Sequence, residues 1–277
     1  MTDIPSSVTQ LLQLALEEDL GHGDITSSMM IPEESEDRAL FIAKGNFVLA
    51  GFPFARLVFH LLDPAAACKA FHAEGARVRR GDVLGEVFGK TRLLLAAERT
   101  SLNILQRLSG IATLTARFVD AVSGTSARIL DTRKTTPCHR FMEKYAVRMG
   151  GGVNHRFGLY DGILIKDNHI AAVGGIGQAV SLAKSGHPLA KVEVEVENLK
   201  DLHEALDVRP DIIMLDNMSL QDMAEAVKIV AGRVLLEASG NVSLDNVRKI
   251  AETGVDMISV GALTHSVTAA DISLKIV

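Results

Sequence analysis

The spacing of hydrophobic and polar positions changes partway along the chain. Beyond Arg128 it becomes regular: RILDTRK, GILIKDN, KVEVEVEN, DIIMLDN, RVLLEASGN and DMISVGAL are each a buried-strand run closed by polar or glycine residues. Helix-length segments lie between most of them: Ala171 to Ser185, Leu199 to Leu206, Leu220 to Val230 and Leu244 to Thr253. From Lys166 to Glu195, Asp216, Glu237 and Ser259 the intervals are 29, 21, 21 and 22 residues, the period of βα units. Apolar strands joined by helical crossovers predict a parallel sheet covered by helices. Six such strands favour a partial or complete α/β barrel over an open doubly wound sheet. In both architectures ligands bind at the carboxyl ends of the strands.

Before Arg128 the pattern is mixed. Ser7 to Leu20 carries apolar Val8, Leu11, Leu12, Ala15 and Leu16 at helical spacing, with Ser7 and Gln10 resembling a capping box and Gly21 as the stop. GHGD, at Gly21 to Asp24, predicts a turn. Ala39 to Ala43 and Phe47 to Ala50, split by Lys44-Gly45-Asn46, predict a hairpin. Phe52 to Leu62 predicts a buried helix, and short β-like pieces punctuated by Gly75, Gly81, Gly85 and Gly89 complete a β-rich layer. Leu93 to Val122 predicts helix, with Gly110 as a candidate break and a domain boundary inside this stretch or near its end.

Composition narrows the class. The chain has 277 residues, 47% apolar and 23% charged, which is globular and long enough for one barrel or two smaller domains. Its longest apolar runs, such as Leu93 to Ala97, are too short to cross a membrane. Met1 to Gln10 shows neither a basic start nor an apolar stretch of the kind that directs export or organelle import. Cys68 and Cys138 are the only cysteines, too few for a disulfide framework or a CxxC metal site, so a reducing cytoplasm is expected. A net charge of -5 from 29 basic and 34 acidic residues, with no tryptophan and 4% aromatics, argues against a nucleic-acid partner.

The candidate chemistry therefore has to be local. Superimposing the strand ends gathers Arg133, Lys134, Lys166, Glu195, Asp216, Glu237, Ser239 and Gly261 on one rim, with His155 and Arg156 supplied by the loop between the first two strands. Any one strand end is often charged simply because it meets water; the whole set points to a site. Cations there suit a polyanionic substrate, and two carboxylates on adjacent strand ends suit Mg²⁺. Arg133 and Arg156 fit planar carboxylates bidentately, whereas Lys134 and Lys166 act as point charges. His155 could donate to the same ligand, although an isolated histidine is more often a satisfied structural residue. Ser239-Gly240-Asn241 and Val260-Gly261-Ala262 precede helices and suit phosphate, although glycine turns are common in any role. Gly150 to Gly152 either lets backbone approach a ligand or merely ends a helix from about Arg140 to Met149. His139 and His169 lack the spacing of a zinc site. No P-loop, strand-linked GxGxxG or GxSxG motif is present.

Several motifs together resemble the quinolinate phosphoribosyltransferase family, the decarboxylating nicotinate-nucleotide pyrophosphorylases. They are ALEEDLGHGDIT, AERTSLNILQRLSGIAT, DTRKTTP, EKYAVRMGGGVNHRFGLYDGILIKDNHI, VEVEVEN, MLDN, EASGN and ISVGALTHS, and in this order they cover nearly the whole chain. The resemblance implies an N-terminal α/β sandwich over residues 1–108, to which the tail 267–277 returns, and an open α/β barrel over 109–266. It implies transfer of phosphoribose from phosphoribosyl pyrophosphate to quinolinate, with Mg²⁺ and loss of CO₂, in NAD biosynthesis. Arg99, Arg133, His155 and Arg156 would lie at quinolinate, Lys134 and Lys166 at the junction of the two substrates, and Thr132 beside them. Glu195 and Asp216 would serve the metal and pyrophosphate, directly or through water, and Ser239, Gly240, Asn241, Val260 and Gly261 the phosphate loops. A homodimer or hexamer is implied, with Arg99 donated by the neighbouring copy. One departure stands out: where the family usually has Gly and an apolar residue after DTRKTTP, this chain has Cys138-His139, and His139 is expected to face solvent. The alternatives are a related phosphoribosyltransferase with another acceptor and an inactive anion-binding scaffold.

Overall fold

The computed structural model describes residues 4–277; the first three residues of the Met1 to Gln10 segment lie outside them. In chain order the elements begin with α1 (Ser6–Leu20), α2 (Ile25–Met30), β1 (Glu36–Ala43), β2 (Phe47–Val48), α3 (Phe52–Leu62), β3 (Ala67–Ala70), β4 (Arg77–Val78) and β5 (Val83–Lys90). The long helix α4 (Thr91–Ala121) precedes β6 (Arg128–Leu130), α5 (Arg140–Met149), β7 (Ile163–Ile165), α6 (Asp167–Val173) and α7 (Ile176–Gly186). Then follow β8 (Val192–Val196), α8 (Leu199–Val208), β9 (Ile212–Asp216), α9 (Leu220–Val230), β10 (Leu235–Ser239), α10 (Val247–Glu252), β11 (Met257–Ser259), α11 (Ala262–His265) and β12 (Ile272–Ile276).

Contacts divide the chain into two compact units. The first runs to Ala116 and takes in Thr136–Gly151 and Ser266–Val277; the second comprises Arg117–Thr135 and Gly152–His265. The first unit is built on a four-stranded antiparallel sheet in the order β12-β1-β5-β3. Along β1, residues 39, 41 and 43 are buried and those between them are not, the period-two pattern of a strand with one covered face. Phe41 packs edge-on against Phe52 and Phe59 of α3. The expected hairpin does not form. Phe47–Val48 instead pairs with Arg77–Val78, because β1 is already flanked on both sides: at its end the Ala43 N–H donates to the Asp82 carbonyl and the Lys44 N–H to the Asp271 carbonyl.

Three further local expectations are corrected. Helix α1 starts after Pro5 with no side-chain cap, so the Ser7–Gln10 capping box is absent; the capped helix is α2, where Asp24 of GHGD accepts from the Ser27 N–H at 3.0 Å. Gly110 does not interrupt α4. A Cβ there would lie 2.3 Å from the Thr268 carbonyl oxygen, so the glycine lets the returning tail pack against the helix. The Ala171 to Ser185 helix is two helices, parted at Gly174 and Gly175, whose φ values of 94° and 151° favour glycine.

The second unit carries one six-stranded parallel sheet, in the order β6-β11-β10-β9-β8-β7. Successive strands β7 to β11 are neighbours, as βα crossovers require. β6 joins β11 rather than β7, so the two strands of Arg128 to Ile170 form the two edges of the sheet. This is the strand order of an α/β barrel left open between its first and second strands. VEVEV in β8 departs from an all-apolar run: Val192, Val194 and Val196 are buried, and the alternation places Glu193 and Glu195 together on the opposite face.

Candidate active site

The carboxyl ends of these strands enclose a cavity of about 790 Å³. Thr132, Arg133 and Lys134 enter from the end of β6, His155 and Arg156 from the following loop, Lys166 from β7, Glu195 from β8, and Asp216 from β9. Ser239, Gly240 and Asn241 follow β10, and Gly261 follows β11. Of the expected residues, two stand apart. Val260 is 1% exposed and donates its N–H to the Leu130 carbonyl, so it belongs to the sheet ladder. Arg99 is exposed on α4 and is not among the residues lining this cavity.

The basic residues crowd one another. Arg156 donates through Nη1 to the Gly162 carbonyl at 2.9 Å, while its buried Nε has no protein partner. Burial holds its pKa below the usual guanidinium value and the nearby positive Arg133 lowers it further, against partial compensation by Glu193. Two guanidinium groups brought together at such a cost form a ready receptor for a carboxylate dianion. Lys166 Nζ lies 2.5 Å from Glu195 Oε2, a charge-assisted contact within the rim.

Beneath the rim lies a second set of acids, which the strand-end pattern does not distinguish. Asp131, Glu193 and Glu237, from the end of β6, β8 and β10, are 0%, 5% and 0% exposed. Contributions from alternate strands are the layering expected inside a barrel. All three acids bear on His155. Asp131 accepts its backbone N–H at 2.8 Å, and Glu193 Oε2 lies 3.0 Å and Glu237 Oε2 3.8 Å from its Nε2. His155 Nδ1 accepts the Arg156 N–H at 2.8 Å, which leaves Nε2 to donate toward Glu193. Both ring nitrogens of His155 are engaged within the protein, and the residue also lines the cavity. Glu237, expected on the rim, lines the floor of the same cavity, where it is fully buried and neither carboxylate oxygen has a partner in good hydrogen-bond geometry. Burial, reinforced by Glu193, pushes its pKa up to about 7, while His155 and the Ser259 hydroxyl act in the opposite direction.

The turns on the far side of the cavity use backbone and amide groups. Asn217 adopts φ 53° and Asn241 φ 50°, left-handed values that asparagine tolerates. A Cβ on Gly240, φ 96°, would fall 2.1 Å from Asn217 Oδ1. At Gly261 a Cβ would lie 3.1 Å from His265 Nε2 and 3.2 Å from Lys134 Cδ, so the missing side chain gives Lys134 its path. Thr264 Oγ1 donates to the Lys134 carbonyl at 2.7 Å. Period-two spacing with Glu195 would have marked Glu193, the turn-forming LDN sequence would have marked Asn217, and Asp131 opens the DTRK strand end; nothing local marks His265.

In the TTPCH loop, Cys138 takes φ 64°, the conformation a glycine would adopt without strain. His139 Nδ1 lies 2.9 Å from the Pro137 carbonyl. The ring is partly exposed beside a separate cavity of about 260 Å³ in the first unit, which also includes Leu12, Arg107 and Glu143.

An open α/β barrel with a cationic cavity, flanking carboxylates and glycine-asparagine turns at its strand ends defines an enzyme for anionic substrates. The comparisons identify which kind. Residues 24–109 match the N-terminal domain model, and residues 111–275 the C-terminal domain model, of quinolinate phosphoribosyl transferase. The chain belongs to this family. It is 44% identical over 286 residues to quinolinate phosphoribosyltransferase (decarboxylating) 1b of Nicotiana tabacum, covering 96% of this chain and 81% of that one. It is also 44% identical over 286 residues to the chloroplastic nicotinate-nucleotide pyrophosphorylase (carboxylating) of Arabidopsis thaliana, covering 96% and 82%. A solved nicotinate-nucleotide pyrophosphorylase from Francisella tularensis superimposes with a TM-score of 0.96 at 43% identity, over 99% of this chain and 98% of that one.

Proposed function

We propose that this protein transfers phosphoribose from phosphoribosyl pyrophosphate to quinolinate, with decarboxylation, giving nicotinate mononucleotide, pyrophosphate and CO₂ for NAD biosynthesis. The observation that carries this reading is one cavity holding Arg133, Lys134, Arg156 and Lys166 opposite Asp216 and the Ser239–Gly240–Asn241 turn, in a chain of this family. Arg133 and Arg156 hold the two carboxylates of quinolinate and aim its nitrogen at C1 of the ribose. As the C1–O bond breaks, its electron pair leaves with pyrophosphate and the nitrogen bonds to C1. Lys134 and Lys166 lie where that developing negative charge is stabilised. With the ring nitrogen quaternised, the C–C bond to the adjacent carboxylate breaks, the ring retains the electron pair, and a proton replaces CO₂.

Glu195 and Asp216 supply hard oxygen donors from neighbouring strands to the same cavity, a donor set that fits Mg²⁺. When bound there, Mg²⁺ would neutralise pyrophosphate charge. The exposed position of Arg99 on α4 supports its service to the cavity of a neighbouring copy in a homodimer or hexamer of dimers. The two free cysteines, Cys68 and Cys138, are compatible with a cytoplasmic setting. The test is turnover of purified protein with both substrates and Mg²⁺: equal release of CO₂ and nicotinate mononucleotide is expected, and absence of both would refute the reading. Nicotinate in place of quinolinate should not be used.

A further inference from the structure

The Asn217 side chain connects two parts of the cavity that come from different strands. Its Nδ2 donates to Asp216 Oδ2 at 2.8 Å, and its Oδ1 accepts from Asn241 Nδ2 at 3.0 Å. Its backbone N–H donates to the Ser239 carbonyl at 2.9 Å. On the other side of the turn, Asn246 Nδ2 holds the Asn241 carbonyl at 3.0 Å. Gly240 passes so close to the Asn217 amide that a Cβ would overlap it, at 2.1 Å from Oδ1 and 2.5 Å from Cγ. An asparagine with positive φ is often only a turn residue. Here, however, the amide ties a strand-end carboxylate to a turn 24 residues further along the chain.

We propose that Asn217 is a positioning residue for phosphoribosyl pyrophosphate, a strut that fixes the Asp216 carboxylate, which would hold Mg²⁺ for the pyrophosphate, against the Ser239–Gly240–Asn241 turn, so that the two ends of the substrate are met at once. The inference rests on the functional reading above. Asn217 need not touch the substrate: with Asp216 pinned by its neighbour's amide and the turn pinned by the same amide, the separation of the two anchors is set before the substrate arrives. That pre-organisation lowers the ordering cost of binding, and partners that orient ligating carboxylates typically affect affinity or activity by about 10- to 100-fold.

The test uses steady-state kinetics on the full chain with Mg²⁺. Asn217→Gly removes the amide while tolerating positive φ; Asn217→Asp keeps the turn and its acceptor oxygen but loses the donor to Asp216. Both should raise KM for phosphoribosyl pyrophosphate about tenfold or more and leave KM for quinolinate within twofold of wild type. Product inhibition by pyrophosphate should weaken in parallel. Gly240→Ala should cost less in the Asn217→Gly background than in wild type, because the 2.1 Å and 2.5 Å overlaps disappear while the backbone strain at Gly240 is common to both. An active wild type whose variants shift both KM values alike, or neither, would overturn the strut. So would additive effects of Asn217→Gly and Gly240→Ala. An inactive wild type would instead refute the functional reading itself.

Discussion

The two sides of the cavity recognise charge by different means. The β6 and β7 side, made by the open edges of the sheet, presents long cationic side chains: Arg133, Lys134, Arg156 and Lys166. The β9 to β11 side presents short groups, namely the Asp216 carboxylate, asparagine amides and the turns at Gly240 and Gly261. Side-chain cations reach a ligand of fixed shape and neutralise it; turns offer backbone N–H groups only where no Cβ intervenes. On the proposed function, a rigid aromatic dicarboxylate would be met mainly by Arg133 and Arg156 and a flexible polyphosphate sugar mainly by the turns, with Lys134 and Lys166 serving both.

The sharpest attempt to break this contrast is Arg156→Ala. It should lower kcat/KM for quinolinate by on the order of 100- to 1,000-fold with little change in KM for phosphoribosyl pyrophosphate; equal effects on both substrates would dissolve the division between sides. Glu237→Gln probes the floor under both sides. The carboxyl binds its proton more tightly in the folded protein, with a pKa near 7, than at its ordinary value of 4.5. It is protonated in both states below that lower value, so its contribution turns against folding as pH rises from 4.5 through about 7. Chemical denaturation across that range should show a flatter pH profile for the glutamine variant than for wild type, with the variant gaining relative stability at the upper end. Parallel profiles would exclude a buried, proton-retaining Glu237.

Gly261→Ala should raise KM for phosphoribosyl pyrophosphate by about tenfold, the scale expected for disturbing a supporting contact. Since the added methyl presses on the Lys134 stem at 3.2 Å, a matching rise for quinolinate would show that the sides meet at Lys134. The smallest effect belongs to Cys138→Gly. Relief of strain at φ 64° and the greater freedom of glycine in the unfolded chain oppose each other, so stability should change by less than about 1 kcal/mol. A larger change in a denaturant titration would mean that the Cys138 side chain itself contributes packing.

Much of the second unit was legible in the chain alone because its information is local and periodic. Each βα unit states its own strand and helix, and crossover geometry then brings Lys166, Glu195, Asp216 and Ser239 to one end. The N-terminal sheet was not legible in the same way. β1 pairs with β12 and β5, and β2 with β4, partners chosen by which apolar faces can be buried together across long stretches of chain. A hairpin inferred from proximity at Lys44-Gly45-Asn46 had no means of competing with them.

The same division holds inside the cavity. Amino-acid sequence by itself determined the residue types on the rim, since strand-end charge, glycine turns and the family motifs are written consecutively. Only the tertiary structure decided that Glu193 and Glu237 lie under His155, that both His155 nitrogens are occupied, that Val260 faces the sheet, and that Asn217 bridges Asp216 to Asn241. Which face a strand residue takes, and what it meets there, depends on how the sheet curves and on residues far away in sequence, so no local pattern can specify it.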